Sequence, residues 1–255
     1  MAGELRCDRA RPGKIASMRF QSPKEFAKLL QNEENMKQFT AVIFDMDGTL
    51  LDTLDDLGDC MNRVLRREGY PIHPIDDYKY FVGDGITNLV KRVLPERERE
   101  QSTIEKLQTE MVREYGLHWA DKTGLYPGIA SLLDELVRRK VSRAILSNKP
   151  HEFTTVMADR YFSNWSFDPV FGARDGVPKK PDPAAALEIC RRWGLAPAEV
   201  LYAGDTNTDM QTARQGGMFA LGVLWGFRTK EELQENGAQA LIETPRQMLE
   251  YFRSP

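Results

Sequence analysis

The chain has 255 residues, 41% of them hydrophobic, and a formal charge of −3 from 35 basic and 38 acidic side chains. This length permits one α/β domain with a smaller insertion. The balanced charge is not typical of proteins that bind nucleic acid or an anionic membrane, so we expect a small-molecule partner. Three widely spaced cysteines fit neither a disulfide framework nor a Cys-x-x-Cys zinc site, and they favour a reducing, cytoplasmic location.

Residues 1–38 differ from the rest of the chain. They combine scattered arginines with glycine and proline and show no sustained apolar period, so we expect a poorly ordered tail. A transit peptide is one alternative for an arginine-rich start, although Glu4, Asp8 and the missing amphipathic pattern speak against it. Another hypothesis is that translation starts at Met36. No apolar run approaches the ~18 residues of a membrane span.

The first strand is predicted at Ala41–Phe44, a short apolar run that leads directly into Asp45, Asp47 and Gly48. Such a run, cut off by Asp and Gly, is typical of a strand covered on both faces, as in a parallel sheet. Ligands bind at the carboxyl ends of strands in such sheets. The pattern therefore places a candidate site at Asp45.

A helical insertion is predicted for residues 53–124, because this segment shows helical periods and no strand signal. Thr53 is expected to cap its first helix, which ends near Gly69. Further helices are predicted at 75–81, 86–94 and 98–115. We expect the insertion to form a cap that packs over the site.

Strands and helices alternate through the remaining segment, which predicts right-handed crossovers and a doubly wound parallel sheet of Rossmann-like type. The core is thus expected at 39–52 and 125–255. Strands are predicted at 143–146, 169–172, 200–203 and 220–224, and helices at 129–137, 151–161, 183–193 and 208–216. Short elements are expected between 229 and 252.

Three further polar clusters follow the core strands: Ser147-Asn148, Lys180 within Lys-Lys-Pro-Asp-Pro, and Gly204-Asp205 with Asp209. Each alone has an ordinary structural explanation as a helix cap, a polar loop or a turn. Together with Asp45-Met46-Asp47-Gly48-Thr49-Leu50, in this order and on this alternating pattern, they resemble the four motifs of the haloacid dehalogenase superfamily of phosphatases.

Charge arguments indicate a bound cation, because Asp45, Asp47, Asp205 and Asp209 would converge with one lysine, Lys180. Two like charges 4 Å apart repel by about 4 kcal/mol at an effective dielectric near 20. An oxygen-only site of few carboxylates is what Mg²⁺ favours. We therefore expect Mg²⁺ as cofactor, and we expect the phosphate to need aimed donors from Ser147 and backbone amides.

The resemblance implies a role for each motif residue. Asp45 would attack phosphorus to form an aspartyl-phosphate, and Asp47 would act as acid and base. Asp45, Asp205 and the backbone carbonyl of Asp47 would bind the metal. Lys180 and Ser147 would complete the catalytic set, with Gly48 and Asp209 in support: Gly48 would allow a close backbone approach or a positive φ, and Asp209 would orient Lys180 or a metal-bound water.

The substrate is expected to be a small phosphorylated metabolite, because within the superfamily the chain looks most like the phosphoglycolate phosphatases. The resemblance implies substrate contacts in the cap and at strand ends, made by Thr49, Gly83, Asp84, Gly85, Asn148 and Lys149. Asp84 would repel phosphoglycolate if it faced the site; it could equally face solvent or cap the next helix. A phosphomutase, a pyrophosphatase and a non-catalytic phosphate-binding module stay open, as does the oligomeric state.

Overall fold

The structure, a computed structural model, describes residues 38–253. Our expectations about the tail, a transit peptide and a start at Met36 fall almost entirely outside these residues. Within the described range no helix is both long enough and apolar enough to cross a membrane. The strands are β1 (Ala41–Phe44), β2 (Leu51–Asp52), β3 (Gly124–Leu125), β4 (Ser142–Pro150), β5 (Val170–Ala173), β6 (Val200–Gly204), β7 (Phe219–Val223) and β8 (Ala240–Ile242).

Six parallel strands form one sheet in the order β5-β4-β1-β6-β7-β8, which confirms the predicted doubly wound fold. Phe44 at the end of β1 aligns with Ile145 of β4 on one side and Ala203 of β6 on the other. The polar residues that follow these three strands therefore leave the sheet at the same edge. The chain reverses its direction of winding at β1, and such a switch point opens a crevice for ligands.

Helices cover both faces of the sheet. Val42 and Phe44 of β1 pack with the helices of one face, and Ala41 and Ile43 pack with those of the other. This alternation explains the unbroken apolar run in β1, because every side chain of the strand is buried. The helices of this region are α5 (Ile129–Arg138), α6 (His151–Phe162), α7 (Ala184–Trp193), α8 (Asn207–Gln215) and α9 (Lys230–Glu235), with 3-10 turns at Pro197–Glu199 and Pro245–Tyr251.

The helical insertion, residues 53–124, has its own apolar cluster, built mainly from one face of each of its longer helices. The chain enters and leaves it through β2 and β3, which pair antiparallel at its base. Its helices are α1 (Leu54–Arg67), α2 (Tyr78–Phe81), α3 (Ile86–Val93) and α4 (Gln101–His118), with 3-10 turns at Ile75–Asp77 and Glu96–Glu98.

Three local expectations need correction. Thr53 occupies the N-cap position of α1, but its hydroxyl makes no capping hydrogen bond. Strand β4 continues to Pro150, beyond the expected end at 146, because it pairs again with β5 after a shift in register between Leu146 and Pro150. Helix α4 begins and ends three residues later than expected. The pair of two-residue strands β2 and β3 was not predicted.

Asp56 of α1 joins the start of the insertion to its end. Its buried carboxylate accepts the backbone N–H groups of Lys122 and Thr123 at 2.8–3.0 Å, and the Thr123 hydroxyl at 2.7 Å. We expect Asp56→Ala to lower the free energy of unfolding by about 3 kcal/mol, because it leaves buried donors unpaired. Urea unfolding monitored by circular dichroism measures this change.

Asp55→Ala is the matched control, because the neighbouring carboxylate is exposed and makes one long ion pair with Lys122 at 3.9 Å. We expect it to cost less than about 0.5 kcal/mol. Equal losses in the two variants would contradict the proposed role of Asp56.

Candidate active site

Lys180 lies between two carboxylates at the edge of the sheet. Its Nζ is 2.8 Å from Oδ1 of Asp45 and 2.7 Å from Oδ1 of Asp209. All three side chains are at least nine-tenths buried. Asp45 Oδ1 also accepts the backbone N–H of Met46 at 2.7 Å. The expected convergence of Asp45, Lys180 and Asp209 is thus present in the structure, and Asp209 contacts the lysine directly.

Asp205 is fixed by contacts from two loops. The Thr49 hydroxyl donates to its Oδ1 at 2.7 Å, and the Phe227 backbone N–H donates to its Oδ2 at 2.8 Å. Gly48 has a φ of +83°, and a Cβ at this position would lie 2.3 Å from Asp205 Oδ2. Both reasons proposed for glycine at position 48 therefore hold: the backbone is left-handed and the approach to Asp205 is close.

Burial and crowding change the pKa values of this cluster. Burial and repulsion from Asp209 raise the pKa of Asp45 well above its usual value, although Lys180 opposes this. Burial, again with repulsion from Asp209, raises the pKa of Asp205 to about 7. Burial alone would lower the pKa of Lys180, but attraction to Asp209 and Asp45 outweighs it and the pKa is raised. When all three carboxyls are ionised, the cluster carries more negative charge than Lys180 offsets.

The residues present fit a hard divalent cation. Asp45, Asp205 and Asp209 each offer a carboxylate oxygen, and these oxygens lie within 4.8 Å of one another. All three residues are buried, and the donors are oxygens alone, which is the ligand set of Mg²⁺. The side chain of Asp47 is not part of this group; its expected metal contact is through the backbone carbonyl.

Asp47 lies beside a second lysine, Lys149. Its Oδ2 is 3.3 Å from Nζ of Lys149, while its buried Oδ1 has no hydrogen-bond partner. Lys149 Nζ also donates to the hydroxyl of Tyr115 at 2.9 Å. Burial disfavours the charge on Lys149, but Asp47 and Tyr115 outweigh this effect and the net pKa is raised. A lysine cation and an unpartnered carboxylate oxygen thus face the same space.

Ser147 and Asn148 occupy the end of β4 beside Asp45. The Ser147 hydroxyl accepts the backbone N–H of Lys149 at 3.2 Å, which leaves its own proton free to donate. The Asn148 amide donates to the carbonyls of Lys180 and Gly83 at 3.0 and 3.1 Å and accepts the Lys180 N–H at 2.9 Å. Asn148 therefore holds the Lys180 segment and the insertion together at one point.

A cavity lies between the sheet edge and the insertion. The space open to the centres of water molecules is about 70 Å³, which suits a small ligand. Its polar end contains Asp45, Asp47 and Ser147, together with Asn148 and Lys149. Gly83 and Gly85 line the insertion side, as expected. The rest of the wall is apolar or aromatic and consists of Leu57, Val82, Ile86, Leu89, Met111, Tyr115, Pro150 and Phe153.

Two expected substrate contacts lie elsewhere. Thr49 is fully buried and its hydroxyl bonds to Asp205, so it supports the acidic cluster and does not line the cavity. Asp84 does not line the cavity either. One of its carboxylate oxygens accepts the Thr208 hydroxyl at 2.9 Å and the other pairs with Arg92. Asp84 therefore does not repel a ligand, and it makes no side-chain cap of α3; it links the insertion to α8.

Sequence reasoning missed the residues that tie the insertion to the acidic cluster. Arg228 donates to the backbone carbonyls of Lys79 and Val82 and stacks on Tyr80 at 5.1 Å from the ring centre. It directly follows Phe227, whose N–H holds Asp205. Tyr115 falls at the end of the helix predicted at 98–115, and nothing in the sequence sets it apart there. A motif search has no signal for either residue, because neither one adjoins a catalytic motif.

Comparison with known proteins gives a family. The model of the haloacid dehalogenase-like hydrolases matches residues 42–223, more than half of the chain. The chain belongs to this family of hydrolases. Both ends of the matched region lie in core strands, and the match spans Asp45, Ser147, Lys180 and Asp205.

Individual relatives extend this result. The chain is 30% identical over 200 residues to a phosphoglycolate phosphatase of Psychrobacter arcticus, covering 76% of this chain and 87% of the relative. It is 31% identical over 196 residues to a phosphoglycolate phosphatase of Chromobacterium violaceum, covering 76% and 88%. A solved structure of a candidate phosphoglycolate phosphatase from Lactobacillus delbrueckii subsp. bulgaricus superposes with a TM-score of 0.80 at 30% identity, covering 85% of this chain and all of that one.

The raised pKa of Asp205 predicts a pH-dependent stability of the metal-free protein. The pKa is about 7 in the folded chain against 3.8 for a free carboxyl, so folding takes up a proton between these values and stability rises as pH falls through that window. Relative to Asp205→Asn, we expect the wild type to gain about 2 kcal/mol between pH ~8 and pH ~5.5. Urea unfolding in EDTA at both pH values measures the difference.

Added Mg²⁺ supplies the complementary measurement, because a cation and a proton compete for the same carboxylates. We expect Mg²⁺ to stabilise the wild type more at the higher pH and to stabilise Asp205→Asn little at either. A wild type and variant that differ by the same amount at both pH values would disprove the assignment of this pKa to Asp205.

Proposed function

We propose that this chain is a Mg²⁺-dependent phosphatase that hydrolyses a small phosphate monoester, 2-phosphoglycolate, through an aspartyl-phosphate on Asp45. The observation that carries the proposal is the position of Lys180, whose Nζ bonds both Asp45 and Asp209 in a buried cluster with Asp205. A lone surface turn or polar loop would not bring these four groups together.

Asp45 acts as the nucleophile. The N–H of Met46 and the ammonium of Lys180 both contact Oδ1, so Oδ2 attacks phosphorus while Oδ1 stays held in place. The bond between phosphorus and the ester oxygen breaks, and the phosphoryl group is transferred to Asp45 as an acyl phosphate. Water then hydrolyses this acyl phosphate. This division replaces one hard displacement with two easier ones.

Asp47 supplies and removes the proton. Its Oδ1 is buried without a partner at the cavity, which is where a leaving-group oxygen or an attacking water would find it. In the first step Asp47 gives its proton to the departing alcohol, and in the second it takes one from water. A module that only binds phosphate would not need this residue.

The phosphate requires positive charge and directed donors. Lys180 and the free proton of the Ser147 hydroxyl face it, and the backbone N–H groups near Gly48 and Asn148 complete the set. When bound, Mg²⁺ would be held by Asp45, Asp205 and the Asp47 carbonyl, and it would neutralise the charge of the phosphoryl oxygens. Asp209, saturated by Lys180 and Thr206, orients the lysine.

The insertion, residues 53–124, acts as a cap. It supplies Leu57, Leu89 and Met111 to the cavity wall, and these apolar side chains limit the access of water to the reacting groups. The small cavity and the names of the relatives from Psychrobacter arcticus and Chromobacterium violaceum support 2-phosphoglycolate among small monoesters. A phosphomutase or pyrophosphatase on the same core is the alternative.

Release of inorganic phosphate from a substrate panel tests this proposal. We expect 2-phosphoglycolate to give a higher kcat/KM than pyrophosphate or hexose phosphates in Mg²⁺, and EDTA to abolish turnover of all of them. Asp45→Asn is the matched control; it should lose turnover by about 10⁴-fold or more while its unfolding transition is kept, because it removes the nucleophile alone.

If another compound of the panel gave the highest kcat/KM, the proposed substrate would be wrong and the proposed reaction would still hold. Turnover of every compound by Asp45→Asn at near wild-type rate would refute the nucleophile. Phosphate transfer between positions of a sugar, without release, would establish the phosphomutase instead.

A further inference from the structure

Two buried lysines divide the site into two ends. Lys180 contacts Asp45 and Asp209, where the phosphoryl group would react. Lys149 lies beside Asp47, with Nζ at 3.3 Å from Oδ2. Among the described residues that line the cavity, Lys149 is the only lysine or arginine. In the proposed function Lys180 and Mg²⁺ serve the phosphate, so Lys149 is left to serve the rest of the substrate.

Lys149 contacts Tyr115, a residue of the insertion. Its Nζ donates to Tyr115 Oη at 2.9 Å and lies 4.4 Å from the centre of the same ring. Since Tyr115 accepts from the lysine, its own O–H proton is free for another acceptor; the nearest one is the Met157 sulfur at 3.9 Å, a weak acceptor. An ammonium and a hydroxyl donor thus converge from the core and the insertion.

The surrounding wall restricts what these donors can hold. Phe153 stacks edge-on against Tyr115 with ring centres 5.2 Å apart, and Ile86 and Leu89 also line the cavity. These side chains offer no hydrogen bonds to a polyhydroxylated leaving group such as a sugar. Because Lys149 touches Asp47 directly, a group bound to it lies within two or three bonds of the leaving-group oxygen that Asp47 serves.

We propose that Lys149 and Tyr115 form a carboxylate-binding subsite that selects phosphate esters of 2-hydroxy acids. This inference rests on the proposed function, because it takes the ester oxygen to lie at Asp47. The carboxylate accepts one hydrogen bond from the Lys149 ammonium and one from the Tyr115 hydroxyl, and it replaces the Met157 sulfur as partner of the latter.

A simpler role for Lys149 would be to hold Asp47 in place. The two roles differ in what a substitution does to selectivity: a lysine that only positions Asp47 affects every substrate by the same factor. A lysine that binds the carboxylate changes the ratio between anionic and neutral ligands. The test therefore compares matched pairs of ligands that differ in this one group.

Isothermal titration calorimetry with two non-hydrolysable phosphonates measures the subsite without turnover. We expect the wild type in Mg²⁺ to bind 3-phosphonopropionate at least about tenfold more tightly than propylphosphonate, because the carboxylate gains charge-assisted hydrogen bonds. Lys149→Met should reduce this preference to about twofold or less, and Tyr115→Phe should reduce it by about fivefold. Lys149 is buried, so Lys149→Met could fail to fold. In that case Tyr115→Phe alone provides the test.

Lys179→Met is the matched control, because it removes the same charge from an exposed position close to Gly85 but outside the cavity. It should keep the full preference. Initial rates for 2-phosphoglycolate and 2-hydroxyethyl phosphate give the kinetic counterpart: the ratio of their kcat/KM values should fall in Lys149→Met and Tyr115→Phe and stay at the wild-type value in Lys179→Met.

The outcomes separate the two proposals. A wild type without the phosphonate preference, or variants that keep it, would overturn the carboxylate subsite. A wild type that shows the preference but releases phosphate from no monoester would refute the phosphatase and leave the subsite in place. Equal losses for both kinetic substrates in Lys149→Met and Tyr115→Phe, with the ratio unchanged, would show that Lys149 only positions Asp47.

Discussion

The site depends on one buried lysine that is shared between two carboxylates. Lys180 can keep its charge away from water only because Asp45 and Asp209 both accept its hydrogen bonds. The lysine brings the segment after β5 to the ends of β1 and β6. The same arrangement leaves Asp205 unneutralised, with a pKa raised to about 7 by burial and by Asp209. The core is therefore built to receive a further positive charge, and its oxygen donors fit Mg²⁺.

The loop after β7 connects this acidic cluster to the insertion. Trp225 donates its indole N–H to the Thr49 carbonyl, the Phe227 N–H holds Asp205, and Arg228 bonds to carbonyls of the insertion. Three residues of the segment 225–228 thus connect the surroundings of Asp205 to the insertion. Asn148 makes a second connection of this kind between Lys180 and Gly83. The position of the insertion and the geometry of the acidic cluster are therefore physically linked.

The sequence was sufficient to predict the convergence of those side chains whose positions follow from the topology of a parallel sheet. Asp45 and Asp205 follow β1 and β6, and Ser147 lies in the second half of the neighbouring β4. Their convergence therefore needs only the alternating pattern. Tyr115 and Arg228 could not be found this way, because their positions depend on how the helices of the insertion pack on the core. Asp84 shows the limit of motif similarity: its neighbours Gly83 and Gly85 line the cavity, yet its own side chain turns to Arg92 and Thr208.

The central claim is that Asp45 carries the phosphoryl group, and chemical trapping tests it most directly. Asp47→Asn would be mixed with Mg²⁺ and para-nitrophenyl phosphate, whose leaving group needs no proton, so the intermediate forms but its hydrolysis lacks a base. After a rapid quench, borohydride reduces an acyl phosphate to an alcohol, and mass spectrometry locates it. If Asp45 carries the phosphoryl group, we expect homoserine in place of Asp45. Modification of another carboxylate, or release of para-nitrophenol with no modified residue, would contradict it.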